Sequence, residues 1–247
     1  MPTALVTGIS RRFGIGWTVA ERLISDGWSV TGTGWPPHDD AQPWGGDSSV
    51  PDLANLSWLP EDLADPDAPP RLVSRHVAQH GRLDALVAVH ARSSLQDLAT
   101  VTAAELDASF AVNTRATVLL AQASARVGVR RVVLFTTGVH RDPMPEEIPY
   151  VVSKAALQGV TATLAAALAP IGATVNCVNP GPNDTGYADA ATREFVAAHM
   201  PLARRWGQPA DIAELVAFLV SDRAAWITGQ TIDSDGGWSV RAGVPRE

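Results

Sequence analysis

A tyrosine and a lysine stand four residues apart in the segment Tyr150-Val151-Val152-Ser153-Lys154. Because positions i and i+4 share one face of a helix, the Lys154 ammonium group is predicted to lie beside the Tyr150 phenol. A nearby cation stabilises the phenolate and lowers the phenol pKa from about 10 towards neutrality. A phenol tuned in this way can act as a general acid and a general base.

The use of lysine in this chain favours a functional pair over a chance one. The 19 basic residues comprise 18 arginines and a single lysine, Lys154. Arginine would substitute poorly beside the phenol, because its charge is spread over a bulky plane. The alternative is a random pair on a solvated helix face.

A glycine-rich segment, Thr7-Gly8-Ile9-Ser10-Arg11-Arg12-Phe13-Gly14-Ile15-Gly16, lies between a short apolar run and a helical pattern. Glycines permit a tight turn, and they let backbone N–H groups at a helix N-terminus approach a pyrophosphate. The alternative is an ordinary glycine-rich turn, but a position between the first strand and the first helix favours a dinucleotide site. The predicted cofactor-binding residues here are Gly8, Ser10, Arg11, Arg12, Gly14, Ile15 and Gly16.

The end of the second predicted strand bears on which dinucleotide binds. A nicotinamide cofactor that lacks the 2′-phosphate usually meets a carboxylate there. This strand ends Thr31-Gly32-Thr33-Gly34-Trp35 without an acid, and Asp39 and Asp40 come later, in a loop. Arg11 and Arg12 could pair with a 2′-phosphate, or they are solvated loop charges. The sequence therefore predicts a preference for NADP(H), with NAD(H) as the alternative.

Short Val- and Leu-rich runs alternate with longer helical patterns along the whole chain. This alternation is typical of a parallel sheet covered on both faces, which binds ligands beyond the carboxyl ends of its strands. We predict a single-domain Rossmann fold over residues 1–247, a doubly wound α/β sheet of about seven strands. The predicted strands are Ala4–Thr7, Ser29–Thr33, Leu56–Leu59, Leu83–Val89, Arg131–Thr136, Thr174–Val178 and Thr231–Asp233. The predicted helices are Ile15–Ser25, Pro70–His80, Ala103–Val127 (one helix or two), Tyr150–Ala169 and Pro209–Ser221, and Trp35–Pro51 is predicted to be a loop.

Composition excludes several classes of protein. The net charge is -7 and the basic residues are scattered, whereas nucleic-acid binding needs a concentrated positive face. The single cysteine, Cys177, excludes an internal disulfide and a multi-cysteine metal site, so we expect a reducing cytoplasm and no metal. The N-terminus shows no signal peptide, and no membrane span or membrane partner is expected.

Taken together, the motifs resemble the short-chain dehydrogenase/reductase family, and in particular bacterial 3-oxoacyl-carrier-protein reductases and their relatives. The resemblance covers nearly the whole chain, and several motifs in the right order are more specific than one alone. The residues that carry it are Thr7-Gly8, Gly14-Ile15-Gly16, Asp62, Asn113, Thr136-Thr137, Tyr150, Lys154, Asn179-Pro180-Gly181-Pro182 and Asp235-Gly236-Gly237.

The resemblance implies a catalytic role for four residues. Tyr150 would protonate the carbonyl oxygen as hydride arrives from the nicotinamide. Lys154 would lower the Tyr150 pKa and bond the nicotinamide ribose, and Asn113 would hold a water that links Lys154 to solvent. Thr137 stands where the family usually has serine, thirteen residues before the tyrosine, and its hydroxyl can still donate to the substrate oxygen. The alternatives are a helix-interior polar residue for Asn113 and a strand-end residue for Thr137.

The resemblance also implies contacts with the rest of the cofactor. Asp62 would bond the adenine edge, or it is a turn residue, and Thr185 would anchor the nicotinamide carboxamide. Further contacts are implied at Ala91, Pro180, Gly181 and Asn183, besides Tyr150 and Lys154.

Two further departures from the family concern the cofactor site. Five residues rather than three separate Gly8 from Gly14, so the loop is expected to bulge. The family's Asn-Asn-Ala-Gly after the fourth strand is here Ala88-Val89-His90-Ala91. We interpret His90 and Arg92 as loop residues, with a position facing the cofactor or substrate as the alternative.

The stretch Gly186–Arg205 occupies the place of the family's mobile substrate lid, which we take as about 186–206. Its apolar residues are predicted to cover the substrate, or the stretch is an amphipathic helix on the core. The loop His140–Met144 is expected to wall the pocket, where Arg141 meets an acidic substrate or is solvated. The Ala- and Leu-rich helices Ala103–Val127 and Tyr150–Ala169 predict a homotetramer, with a homodimer as the alternative.

The predicted activity is NADP(H)-dependent reduction of a small-molecule ketone or other carbonyl to an alcohol, or the reverse. Two other functions stay open. A non-catalytic cofactor-binding regulator would typically lose the Tyr–Lys pair, which is present here. A non-redox enzyme on the same scaffold, such as a dehalogenase, would be expected to lose the glycine loop, and Gly8, Gly14 and Gly16 are all retained.

Overall fold

The computed structural model describes residues 1–47, 53–138 and 143–241. Seven strands form one sheet in the order β3-β2-β1-β4-β5-β6-β7, and every neighbouring pair is parallel. The predicted doubly wound Rossmann sheet is confirmed. The strands are β1 (Thr3–Thr7), β2 (Ser29–Thr33), β3 (Leu56–Trp58), β4 (Ala85–Ala88), β5 (Arg131–Phe135), β6 (Thr174–Asn179) and β7 (Thr231–Asp233).

Helices cover both faces of this sheet. They are α1 (Ile15–Ser25), α2 (Pro36–Asp40), α3 (Ala68–His80), α4 (Ala103–Ser109), α5 (Ala116–Arg126), α6 (Ile148–Leu168), α7 (Ala190–His199) and α8 (Pro209–Val220). Successive strand residues point to opposite faces. Accordingly, Leu5 packs in a core with Leu72 of α3 and Leu120 of α5, whereas Val6 packs in a second core that α1 and α8 complete.

Two regions differ from the sequence prediction. The segment predicted as a loop after β2 contains the short helix α2, which Pro36 and Pro37 begin; proline is favoured in the first helical turn because its fixed φ suits it. The predicted helix Ala103–Val127 is a continuous helical run, but Phe110–Arg115 adopts a π-helical conformation between α4 and α5. Such segments often occur at functional sites.

Helix α6 carries the Tyr–Lys pair and is unusually apolar. Together with the turn that follows it, Ile148–Ile171 is the one described segment that is long and apolar enough to span a membrane by composition. Its buried residues pack against the sheet: Ala165 and Leu168 share a core with Val175 and Cys177 of β6. We therefore interpret α6 as a covering helix of the sheet.

Candidate active site

A cleft of about 560 Å³ opens beyond the carboxyl ends of the central strands. Segments that follow β1, β2, β4, β5 and β6 contribute to its walls, together with α6. Of the residues predicted from sequence, those that line it are Gly8, Ser10, Arg11, Gly14, Ile15, Gly16, Asp62, Ala91, Tyr150, Lys154, Pro180 and Thr185. One cleft thus collects residues that are distant in the sequence.

The glycine loop brings the N-terminus of α1 close to the end of β1. Gly8 has a left-handed φ of +76°, and a Cβ at Gly16 would lie 2.3 Å from the Gly8 carbonyl oxygen. Gly14 precedes the first turn of α1, and its N–H donates to the Arg11 carbonyl at 3.0 Å. Phe13 projects outward with 73% of its surface exposed. The two extra residues therefore bulge away, and the free N–H groups of the α1 terminus stay at the cleft, where they suit a phosphate.

The two arginines of the loop are in different environments. Arg11 is half-buried in the cleft, and its Nη2 donates to the carbonyl oxygen of Thr185 at 3.0 Å. Arg12 is exposed and is not among the cleft-lining residues; its backbone N–H donates to the Asp47 carboxylate at 2.5 Å. The two arginines, predicted to act together, are therefore separated in the structure.

The acidic residue Asp39 of α2 also lines the cleft. Asp39 lies in α2, and its carboxylate accepts a hydrogen bond from the Ser10 hydroxyl of the glycine loop. Both residues line the cleft beside Arg11. No acid stands at Gly34 or Trp35 directly after β2, as predicted, but Asp39 lies in helix α2 rather than in the predicted loop, and it contacts the glycine loop. Pro36-Pro37 is the sequence signal that a helix begins here.

Tyr150 and Lys154 are the third and seventh residues of α6, and both line the cleft. Burial lowers the pKa of Lys154 to about 8, which leaves the ammonium group mostly charged at neutral pH. Burial also raises the pKa of Tyr150, and Glu147 and Tyr187 add to this effect. The net shift of the Tyr150 pKa in this structure is therefore upward, because desolvation of the phenolate dominates, and the lowering of that pKa by Lys154 stays a prediction. Among the described residues, a hydrogen bond with the Thr137 side chain lowers the Tyr150 pKa.

The side chain of Asn113 is fully engaged in protein contacts. Its oxygen accepts from the Arg92 N–H at 2.6 Å, and its Nδ2 donates to the Arg92 carbonyl at 3.1 Å and to Ser153 Oγ at 2.8 Å. The Asn113 carbonyl accepts from the Thr117 hydroxyl at 2.8 Å. Asn113 therefore links Arg92, in the segment after β4, to Ser153 of α6. Ser153 is the residue directly before Lys154. Its water-holding role stays a prediction.

His90 and Arg92 lie in the loop after β4, as interpreted from sequence, but both also line the cleft, as in the alternative, and His90 is buried. Its Nε2 faces the Val112 carbonyl at 3.0 Å and its Nδ1 faces the Thr7 hydroxyl at 2.6 Å. Since a carbonyl only accepts, Nε2 carries the proton and Nδ1 accepts from Thr7. Burial, followed by the charge of Lys154, lowers the pKa of His90 to about 3. This neutral histidine joins β1 to the segment after β4, where the family pattern has asparagines.

The remaining predicted residues divide into two groups. Asp62 lines the cleft, and its carboxylate accepts from the Ala64 N–H at 2.8 Å, as in the turn-residue alternative. Gly181 and Asn183 lie outside the cleft-lining set. Gly181 is left-handed, and a Cβ there would lie 2.3 Å from Cβ of Asp235. Asn183 is buried. The catalytic candidate Thr137, after β5, has its hydroxyl 3.8 Å from the Met144 sulfur.

The predicted lid contains helix α7, which begins after a cap in which the Asp189 carboxylate accepts from the Thr192 N–H at 2.8 Å. Met200 and Trp206 pack in a small core with Val196 and Trp238. Helix α7 matches the amphipathic-helix alternative, since Val196 is buried and Phe195 stays 51% exposed, and the covering of the substrate stays a prediction. Of the predicted wall His140–Met144, residues 140–142, including Arg141, lie outside the described residues.

Comparison with known proteins places the chain among oxidoreductases. The sequence model of a family described as enoyl-(acyl carrier protein) reductase matches residues 8–239. The chain is 33% identical over 244 residues to the uncharacterized oxidoreductase YjdA of Bacillus subtilis, covering 95% of this chain and 96% of that protein. It is 32% identical to a 3-oxoacyl-(acyl-carrier-protein) reductase of Staphylococcus aureus, with 95% and 97% covered.

Solved structures agree with the sequence relatives. A short-chain dehydrogenase/reductase from Serratia marcescens superposes with a TM-score of 0.83 at 31% identity, covering 96% of this chain and 98% of that chain. The protein TT0495 from Thermus thermophilus superposes with a TM-score of 0.81 at 31% identity, covering 97% and 100%.

Proposed function

The chain belongs to the short-chain dehydrogenase/reductase family, and from that premise we propose that it reduces the carbonyl group of a small molecule, or oxidises the corresponding alcohol, with an NAD(P) cofactor and with Tyr150 as the proton donor and acceptor. The observation that carries the proposal is that Tyr150 and Lys154 line the same cleft as the glycine loop. The phenol and the dinucleotide site thus share one space.

The residues of the cleft fit a dinucleotide. The close approach of Gly16 to Gly8 leaves the N-terminus of α1 at the cleft, where it can hold a pyrophosphate. Asp62 and Ser10 line the part of the cleft suited to the adenosine, while Thr185 and Pro180 line it after β6, where the nicotinamide would lie. When bound, the nicotinamide supplies or accepts the hydride.

The proton chemistry belongs to the protein. In the reduction, the Tyr150 hydroxyl donates its proton to the carbonyl oxygen as negative charge develops there. The Lys154 ammonium stabilises the phenolate that is left, and the Thr137 hydroxyl donates to the substrate oxygen. Since burial raises the pKa of Tyr150, the phenol is held protonated until the substrate oxygen takes its proton.

For the cofactor, NADP(H) is the proposed preference. No acid stands at Gly34 or Trp35 directly after β2, and Arg12 adds positive charge at the exposed side of the loop. Asp39 opposes this preference, because its carboxylate would repel a 2′-phosphate. We therefore expect a modest preference for NADP(H), with NAD(H) as the alternative cofactor.

The proposed assembly is a homotetramer, with a homodimer as the alternative, in a reducing cytoplasm where the buried Cys177 stays free. Helix α6 turns small and apolar residues outward: Val152 is 42% exposed, and a Cβ at Gly159 would meet nothing within 4 Å. Small side chains allow a second copy to approach closely. Light scattering should give the mass of four chains, and Ala162→Arg should reduce it; a monomeric wild type would refute the assembly.

The proposed activity is tested by a panel of carbonyl compounds that includes ketones, sugars, steroids and a 3-oxoacyl thioester. Oxidation of NADPH deuterated at C4 is followed, and the product is examined for deuterium at the carbinol carbon. Transfer of deuterium to one class of compound supports hydride transfer and identifies the substrate class. If wild-type protein binds no NADPH or NADH, as judged by quenching of its eight tryptophans, the proposed function fails.

A further inference from the structure

We propose that Arg11, Trp44 and Tyr187 form a strap across the cofactor cleft, in which Arg11 is a positioning residue that ties the glycine loop to the substrate lid. The three residues are called the strap below. The proposal rests on the proposed function, because it assumes that a dinucleotide occupies the cleft.

The first contact of the strap joins two distant parts of the chain. Arg11 Nη2 donates to the carbonyl oxygen of Thr185 at 3.0 Å, although the two residues are 174 positions apart. Arg11 lies between the α1 terminus and the segment after β6, and both line the cleft. Its guanidinium therefore joins the glycine loop, proposed to hold the pyrophosphate, to the segment proposed to hold the nicotinamide.

Aromatic contacts continue the connection into the lid. The Arg11 guanidinium carbon lies 5.8 Å from the ring centroid of Trp44, within the range of a cation–π contact. Trp44 meets Tyr187 edge-on, with centroids 6.3 Å apart and planes at 67°, and Tyr187 meets Trp206 at 5.9 Å and 70°. These separations are typical of favourable aromatic pairs. Trp206 Nε1 in turn donates to the Arg193 carbonyl of α7 at 3.0 Å.

The segment that carries Trp44 is itself bound to the glycine loop at two points. Asp39 accepts from the Ser10 hydroxyl, and Asp47 accepts from the Arg12 N–H at 2.5 Å. Two residues of the glycine loop, Ser10 and Arg12, thus bond to positions on either side of Trp44 in the sequence. The longer glycine loop thus contacts the segment of Trp44 at several points, and Trp44 in turn contacts Tyr187 of the lid.

Two consequences follow for catalysis. A cofactor can leave past the strap only when the bond between Arg11 and Thr185 opens, so the strap should slow the dissociation of NADPH and NADH to a similar extent. The lid residue Tyr187 is held by the same contacts, so breaking them should also raise the KM for the carbonyl substrate more than it lowers kcat. An arginine that only paired with a 2′-phosphate would instead affect NADPH alone.

The test measures cofactor dissociation by stopped flow, using energy transfer from tryptophan to the dihydronicotinamide. Arg11→Ala is expected to speed dissociation of both cofactors about tenfold, as for loss of a charged hydrogen bond. Tyr187→Ala should raise the dissociation rate less and the substrate KM more. The matched control is Arg223→Ala, since Arg223 lies over Phe218 at 5.5 Å but outside the cleft lining. Its thermal stability, dissociation rates and KM should remain those of the wild type.

The double variant Arg11→Ala, Tyr187→Ala supplies the decisive comparison. These residues touch through Trp44, so their effects on dissociation should be smaller together than the product of the single effects. Equal dissociation rates in wild type and Arg11→Ala, or faster dissociation of NADPH alone, would overturn the strap while leaving the proposed function intact. Failure of the wild type to bind either cofactor would instead refute the proposed function.

Discussion

The Thr7 hydroxyl donates to Nδ1 of His90 across 2.6 Å, and this bond ties the end of β1 to the segment that follows β4. The opposite ring nitrogen of His90 is engaged with the Val112 carbonyl at 3.0 Å. A single neutral side chain thereby connects two strands and the π-helical segment beside the cleft.

Replacement of His90 should reveal the stabilising effect of these bonds. His90→Ala leaves the Thr7 hydroxyl and the Val112 carbonyl buried without this partner, which should cost about 2–3 kcal/mol in the free energy of unfolding. His90→Asn keeps one donor and one acceptor and should recover part of the loss. Urea unfolding of both variants measures this difference. If His90→Ala unfolds at the wild-type urea concentration, these bonds do not stabilise the fold.

Asp39 should limit the binding of NADPH. Asp39→Asn removes a negative charge beside the glycine loop and keeps a side chain that can bond Ser10. The dissociation constant for NADPH should fall about tenfold relative to that for NADH, because a repelling carboxylate is lost. Titration of tryptophan fluorescence with both cofactors measures the ratio. Asp40→Asn is the matched control, since Asp40 is exposed and outside the cleft lining, and an equal change in both variants would contradict the role of Asp39.

Glu147 should set part of the pH dependence of catalysis. Burial is the main cause of the raised Tyr150 pKa, and the charge of Glu147 is the next. Glu147→Gln removes that charge, so the phenolate becomes easier to form and the pKa of Tyr150 falls. In the direction of alcohol oxidation, the rising limb of the pH–rate profile should move to lower pH by about half a pH unit. The exposed neighbour Glu146 supplies the control variant Glu146→Gln, and an unmoved profile for Glu147→Gln would refute the electrostatic role.

A second buried histidine should make stability depend on pH. His76 contacts the hydroxyls of Thr31 at 2.8 Å and Thr3 at 3.2 Å, and its ring lies 4.7 Å from that of His80. Burial, followed by the charge of His80, lowers the pKa of His76 to about 4, while a bond to the Arg82 backbone and the charge of Asp84 act in the opposite direction.

The sign of the pH effect follows from the depressed pKa. Between about pH 6.5 and pH 4 the unfolded chain binds more protons than the folded chain, so stability falls as the pH falls through this window, by roughly 3 kcal/mol at most. His76→Gln should show a shallower fall than wild type in urea unfolding at pH 7 and pH 5, whereas His199→Gln should match the wild type. Identical slopes for wild type and His76→Gln would contradict the assignment.

Local spacing was enough to predict the pair at the centre of the site. Tyr150 and Lys154 are separated by one helical turn, so their common face follows from helix geometry alone. The glycine loop and the doubly wound parallel sheet were likewise predictable, because strands that alternate with helices form a parallel sheet whose carboxyl ends lie at one edge. Sequence also indicated that the loop would bulge.

The features that could not be predicted from sequence depend on contacts between residues that are far apart in the chain. Asp39 of α2 accepts from Ser10, and Arg11 donates to Thr185 across 174 residues, and neither contact follows from local spacing. The raised pKa of Tyr150 depends on how deeply the folded chain buries the phenol, which no spacing reports. The burial of His90 does not follow from its place in a loop, because its environment is set by contacts with β1 and with the π-helical segment, both remote in the sequence.

The most direct test of the account is the single substitution Tyr150→Phe, which removes only the phenolic oxygen. With a carbonyl substrate identified by the panel, turnover should fall by about 10³-fold or more, as expected for loss of a general acid. The dissociation constant for NADPH, measured by energy transfer from tryptophan, should stay close to that of the wild type. Retention of wild-type turnover by Tyr150→Phe would contradict the account.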